Sequence, residues 1–235
     1  MKYYNMKKCY NCGVPFSELN KIERTKEHIP ARTLFEGYPK EYLINRKTVP
    51  ACLKCNQEYS RIDDEIRDLI GVTNESDDEK KELTAKTIRK IFGNKKDLNK
   101  RMSIGKDSIY FNFNMTTIDK IHFKNFKGIY YTITKQPLNE IYSLDVYSLG
   151  QDEKKLELGE KFIKEIELIE NWDVSGHENV FKFKMASVDI NSLQLLELSE
   201  KNLNLESEVL ICAMKYNSTV VALVVAMKES MRNWE

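Results

Sequence analysis

The sequence lacks a long apolar run. Nowhere among its 235 residues do about 18 apolar residues stand together, as a transmembrane helix would require. The first residues, MKYYNMKKCY, also lack the apolar centre of a secretory signal. We therefore expect a cytoplasmic protein with no membrane partner, in which cysteines act as thiols or metal ligands rather than in disulfides.

Histidine and cysteine are scarce as well. The chain has three histidines, His28, His122 and His177, and five cysteines, four of which lie between residues 8 and 60. Hydrophobic residues make up 41%, which is enough for a folded core and argues against wholesale disorder. No cluster of ligand-type residues surrounds His122 or His177, so we interpret both as structural.

Charge is unevenly distributed, although the net charge is only +1. Residues 1–60 carry eleven Lys and Arg against six Asp and Glu, whereas residues 101–235 carry sixteen against twenty. A basic first segment is typical of a surface that binds a polyanion such as nucleic acid. The alternative is that the excess charge is scattered over a solvated surface.

Apolar spacing predicts helices before a polar stretch at residues 94–108. One helix is expected to start at Cys52 and to end at Gly71. Another is expected to start at the cap Ser76 and to end at Gly93. The polar stretch would then connect two parts of the chain.

The second part combines helical and strand patterns. Helices are expected at residues 116–133 and 157–170, and alternating or apolar segments at 108–115 and within 180–227 predict strands. The Asn-Ser pair at 217–218 suits a tight connection between the last two strands. We therefore expect an α+β fold whose antiparallel sheet carries helices on one face.

Four of the cysteines form two CxxC pairs, Cys9 with Cys12 and Cys52 with Cys55. Each pair makes a tight turn that directs two sulfurs to one side, and two such pairs predict a tetrahedral Zn²⁺ held by four thiolates. The alternative is two unrelated reduced pairs. The 39 residues between the pairs exceed the loop of a simple zinc ribbon, so a further unit is expected within that loop. Cys212 lies in an apolar strand pattern and is expected to be a buried thiol.

Within that loop Glu27 and His28 stand side by side, with Pro30 two residues on. The zinc would join the chain before this pair to the helix after Cys52, whose first turn contains Asn56. We therefore expect an acid, an imidazole and a carboxamide to converge. Adjacent residues of a regular strand point to opposite faces, so convergence requires an irregular strand, which Pro30 favours. Taken alone, the Glu-His pair is more often solvated surface.

The segments CYNCG, TKEHIPARTLF and TVPACLKCNQEYSRIDDE together resemble the HNH endonuclease superfamily in its four-cysteine form. The resemblance covers residues 8 to about 66 and implies a ββα-metal fold, in which a hairpin and a helix enclose one catalytic divalent ion. It implies His28 as the general base, with Glu27 and Asn56 as ligands of Mg²⁺ or Mn²⁺. An imidazole accepts a proton from water at neutral pH, and Mg²⁺ prefers oxygen ligands.

The middle of the motif departs from the family pattern. Thr48 stands where many members carry Asn, and Asn45 is nearby but out of register. Thr48 or a backbone carbonyl would then orient the imidazole. Ser60, one turn after Asn56, is a further candidate for the site.

The resemblance thus implies a metal-dependent endonuclease that cleaves nucleic acid, with DNA as the expected substrate, in anti-phage defence or a mobile element. The expected division is a zinc-stapled nuclease module at 1–72, a helical connector at 73–108, and an α+β domain at 109–235. The last domain is expected to bind a protein partner or to self-associate. One alternative is a zinc-stabilised nucleic-acid-binding module with a degenerate nuclease site, which Thr48 favours. Another is a zinc-held adaptor between proteins.

Overall fold

The computed structural model describes residues 8–73, 102–106, 109–148, 171–189, 194–197, 208–217 and 220–231, and the single residues 85, 89, 93 and 164. Over these residues the fold mixes helices with antiparallel sheets and carries a cysteine cluster near its N-terminus. The predicted α+β class is confirmed at that level. The predicted helices at 76–93 and 157–170 fall outside the described residues, apart from the single positions named above.

A hairpin and a helix form the first unit. Strands β1 (Arg24–Ile29) and β2 (Lys47–Cys52) pair antiparallel in an unbroken register. β2 leads directly into α1 (Leu53–Ser60), whose first turn is capped because the Cys52 sulfur accepts the Cys55 N–H. Helix α2 (Asp63–Thr73) follows after a break of two residues.

The single helix predicted from Cys52 to Gly71 is therefore wrong in two respects. The chain breaks the helix after Ser60, and the Ile62 N–H bonds the Tyr59 carbonyl in a tight turn. This turn redirects the chain, so that the first residue of α2 meets the buried part of a later helix. Gly71 does not end α2, because it lacks the left-handed backbone with which a glycine ends a helix.

The second part contains a long helix and a large sheet. Helix α3 (Met115–Thr134) is capped by Asn114, which accepts the Thr117 N–H, and it confirms the helix predicted at 116–133. Eight further strands are described: β3 (Met102–Ile104), β4 (Ile109–Phe111), β5 (Tyr142–Ser148), β6 (Asp173–Val174), β7 (Phe181–Asp189), β8 (Gln194–Glu197), β9 (Val209–Tyr216) and β10 (Val220–Lys228). β3 and β4 form a short hairpin before α3, and the six described strands after it form an antiparallel sheet in the order β5-β10-β9-β7-β6, with β8 on β7.

One hydrophobic core joins the hairpin, α3 and the sheet. Helix α3 packs closely on β1 in this core, because a Cβ added to Gly128 would lie 2.4 Å from the side chain of Ile29. Ser175, in the turn after β6, accepts the Lys47 N–H at 2.8 Å and donates to the Ile29 carbonyl. The sheet region thus closes the open end of the β1–β2 ladder. The division at 1–72, 73–108 and 109–235 stays a prediction.

Candidate functional site

The four sulfurs of the CxxC pairs converge. Their Sγ atoms lie within 4.8 Å of one another, and those of Cys12 and Cys52 are 3.7 Å apart. A tetrahedral zinc with Zn–S distances near 2.3 Å has sulfur–sulfur edges of about 3.8 Å. Within the described part of the chain, these cysteines are the one group of three or more Cys, His, Asp or Glu side chains placed to hold a metal ion. The predicted convergence of the two pairs is confirmed.

Local hydrogen bonds prepare these sulfurs for a cation. Gly13, with φ +71°, donates its N–H to the Cys9 carbonyl at 3.0 Å, and the Asn11 amide donates to the Cys55 sulfur at 3.4 Å. The hydrogen bond between the Cys9 and Cys55 sulfurs lowers the pKa of Cys9 to about 4 and raises the pKa of Cys55. Zinc binds thiolates, so its binding would release the protons that these sulfurs carry. This donor set fits Zn²⁺.

Strand β1 keeps its alternation at the Glu-His pair. Glu27 is paired with Val49 and His28 with Thr48 in a continuous ladder. Consecutive side chains of such a strand leave opposite faces of the sheet. The irregular strand that would bring the two side chains into one site is therefore not found, and His28 instead shares its face with Thr48.

Cationic side chains surround His28. Burial lowers the pKa of His28, and the charges of Arg46 and Arg32 lower it further, with additional contributions from Lys124 and Lys26. Its Nδ1 is buried and has no hydrogen-bond partner among the described residues. At neutral pH the imidazole is therefore uncharged and has an unused ring nitrogen in a basic environment.

Arg46 brings a hydrogen-bond donor into the same environment. Its Nε donates to the Leu43 carbonyl at 3.3 Å, and its guanidinium lies 5.4 Å from the ring centre of Phe35. Its Nη1 is buried without a hydrogen-bond partner in the described part of the chain. Burial, together with the charge of Arg32, lowers the pKa of Arg46. Guanidinium groups so placed suit an anion such as phosphate.

Glu27 points into the protein, toward a buried lysine. The residue is 6% exposed, and its Oε1 lies 3.3 Å from Nζ of Lys124, which is fully buried on α3. Lys124 donates to both carboxylate oxygens of Asp63, at 2.7 and 2.8 Å. A divalent ion beside Glu27 would face this ammonium, so the residues as arranged do not suit such an ion. The role of Glu27 as an ion ligand stays a prediction.

Asn56 connects α1 to β1. Its Nδ2 donates to Thr25 Oγ1 at 3.0 Å and to the Lys26 carbonyl at 3.1 Å. The structure thus brings the carboxamide to the strand that carries the imidazole, while its role as an ion ligand stays a prediction. Ser60 is exposed and donates to the Gln57 carbonyl of its own helix at 3.0 Å.

The other two histidines have structural surroundings. Nδ1 of the fully buried His122 lies 3.0 Å from the Tyr216 hydroxyl. His177 stacks on Tyr42 with ring centres 3.5 Å apart. These contacts agree with the structural interpretation of both residues.

Four important residues were not identified from the sequence: Lys124, Asp63, Arg46 and Ser175. Lys124 and Asp63 resemble the ordinary surface charges of amphipathic helices. Lys124 does follow Ile121 by three residues, so it falls on the apolar stripe of α3, and that position was the available signal. Arg46 was counted in the basic excess, but nothing in its neighbourhood placed it beside the imidazole.

No protein-family model, no curated protein and no solved structure matches the chain. Among the described residues, no helix has the length and apolar character needed to cross a membrane.

Proposed function

We propose that this protein is an HNH-type endonuclease that hydrolyses phosphodiester bonds of nucleic acid, with His28 as its general base. One observation supports this most strongly. A neutral, half-buried imidazole lies near cationic side chains, of which Arg46 and Arg32 lower its pKa most. This combination suits a base that works next to a phosphate group.

The chemistry follows from the residue types. Hydrolysis needs a group that takes a proton from the attacking water, and positive charge where the phosphate gains negative charge. The lowered pKa of His28 keeps the imidazole available as a proton acceptor at neutral pH. Arg32 and Arg46 would donate hydrogen bonds to phosphate oxygens, and Lys26 adds positive charge along the strand.

The cysteine cluster serves as a structural zinc site in this proposal. A Zn²⁺ bound by the four thiolates would tie the Cys9–Cys12 turn to the start of α1, and so hold Asn56 against β1. Metal binding energy of this kind contributes directly to folding. The HNH resemblance also implies a catalytic Mg²⁺ or Mn²⁺, and that ion stays a prediction. Neither proton transfer at His28 nor phosphate binding by the arginines depends on an ion at Glu27.

A second candidate is a zinc-stabilised nucleic-acid-binding module with a degenerate nuclease site. Two observations favour it: the ion pair between Glu27 and Lys124, and Thr48 at the position opposite His28. Such a module would keep the basic surface and bind phosphates, but it would cleave nothing.

Cleavage of plasmid, DNA oligonucleotides and RNA oligonucleotides separates these candidates. His28→Ala should lower the cleavage rate by roughly 10²–10⁴-fold, the scale of a general base, with zinc content and folding unchanged. His177→Ala, which removes an imidazole from a structural stack, is the matched control and should stay close to the parent. The metal dependence of cleavage should be tested by leaving Mg²⁺ out of the reaction. A chelator is unsuitable, because it would also remove the zinc. Salt-dependent binding without any cleavage by the parent would establish the second candidate instead.

A further inference from the structure

We propose that the Lys124 ammonium is the resident cation of the pocket between Glu27 and Asp63, and that it excludes a divalent ion from Glu27. The inference rests on the proposed function, because it concerns the charge balance of the same hairpin. It concerns one buried group, Lys124, to which the proposed chemistry gives no role.

The geometry around Lys124 is that of a bound cation. Its Nζ lies 2.7 and 2.8 Å from the two oxygens of Asp63 and 3.3 Å from Oε1 of Glu27. The ring of Tyr59 lies 5.5 Å from the ammonium and adds a cation–π contact. The side chain has no exposed surface. An ammonium has three donors, and three carboxylate oxygens surround it.

The charges explain why a second cation would be excluded. The Lys124 ammonium already balances one of the two buried carboxylates, and burial raises the pKa of both Glu27 and Asp63, which disfavours further negative charge there. A divalent ion at Glu27 would stand close to the ammonium and repel it strongly in this environment. Oε2 of Glu27 has no hydrogen-bond partner among the described residues, so it is the atom such an ion would have to use.

Lys124 also acts on the strand that carries the base. Glu27 Oε1, which faces the ammonium, accepts the backbone N–H of His28 at 3.1 Å. The lysine on α3 therefore holds β1 at the imidazole through one carboxylate. This makes Lys124 a positioning residue that supplies charge where the family resemblance implies a metal ion.

Mn²⁺ binding to the zinc-loaded, full-length protein tests the proposal directly. Titration followed by the electron paramagnetic resonance signal of free Mn²⁺ should give the same curve for the parent and for Glu27→Gln. A stoichiometric Mn²⁺ site in the parent that Glu27→Gln abolishes would overturn the proposal. This comparison does not depend on a variant that removes the buried ammonium.

A second comparison asks for a gain of binding. Lys124→Met should acquire one Mn²⁺ site at least tenfold tighter than any in the parent, and adding Glu27→Gln should abolish it. Lys120→Met, an exposed lysine on the same helix, is the matched control and should gain nothing. A folded Lys124→Met without a new site would contradict the proposal.

Folding itself provides a further readout. If the unpaired carboxylates unfold Lys124→Met, then Mn²⁺ should restore its structure, and a triple variant with Glu27→Gln and Asp63→Asn should fold without Mn²⁺. Failure of both would show that Lys124 is not balancing these two carboxylates. None of these measurements uses cleavage, so an inactive protein would refute the proposed function while leaving this inference to be judged separately.

Discussion

Replacing Gly128 by alanine tests how closely helix α3 holds the strand that carries His28. The new Cβ would lie 2.4 Å from both Cγ1 and Cδ1 of Ile29, well inside a normal carbon contact. Ile29 is fully buried, and the hydrogen bond to Ser175 fixes its carbonyl, so it cannot easily move aside. We therefore expect the strand to shift or the helix to tilt.

Two opposing effects set the magnitude. Alanine favours a helix by about 1 kcal/mol over glycine, whereas overpacking a core costs roughly 1–3 kcal/mol and occasionally more. With two carbon atoms in conflict, we expect the upper part of that range and a net loss of about 1–2 kcal/mol in the free energy of unfolding. Urea denaturation followed by circular dichroism measures it.

A double-mutant cycle identifies the cause. Ile29→Ala removes the conflicting atoms and should cost about 2–5 kcal/mol alone. Combined with Gly128→Ala, the total loss should be smaller than the sum of the single losses by at least about 1 kcal/mol. Lys120→Ala, on the exposed side of α3, should change stability by less than about 0.5 kcal/mol. Strict additivity of Gly128→Ala and Ile29→Ala would refute the packing argument.

Two further predictions concern the zinc site and a buried histidine. The parent should hold about one tightly bound zinc per chain, and Cys9→Ser should abolish it and expose the β1–β2 amides to hydrogen exchange. The control Cys212→Ser should keep its zinc. A metal-free Cys9→Ser whose amides stay fully protected would contradict this prediction. Burial lowers the pKa of His122 to about 3, so the folded state resists the proton that the unfolded chain accepts below pH 6.5. His122 should therefore contribute a loss of stability as the pH drops from 6.5, of about 2 kcal/mol at pH 5. In urea titrations His122→Asn should remove that contribution, and a pH dependence identical to that of the parent would exclude it.

The parts of the structure that follow local rules were predictable from the sequence. The CxxC turns place their sulfurs through a few adjacent residues, and their convergence was expected from spacing alone. The apolar stripe of α3, the partly alternating β7 and the mainly apolar β9 and β10 likewise follow local sequence patterns.

Features that depend on tertiary contacts were not predictable. The break before Asp63 accompanies a contact between that carboxylate and Lys124, some sixty residues later in the chain. Pairing with β2 imposes the regular register of β1, and Ser175 accepts a hydrogen bond at the end of this ladder. The Glu-His motif by itself does not indicate this register. A lysine buried between two carboxylates can be predicted only when both of its partners are known, and the periodicity of the sequence does not identify them.

Chemical rescue of His28→Ala tests the central claim most directly. Single-turnover cleavage of the substrate that the parent cuts would be measured with and without free imidazole, at constant pH and ionic strength. If His28 is the general base, the variant should be slower by roughly 10²–10⁴-fold, and imidazole should restore part of its rate without accelerating the parent. A variant that cuts as fast as the parent, or a parent that cuts neither DNA nor RNA, would contradict the account.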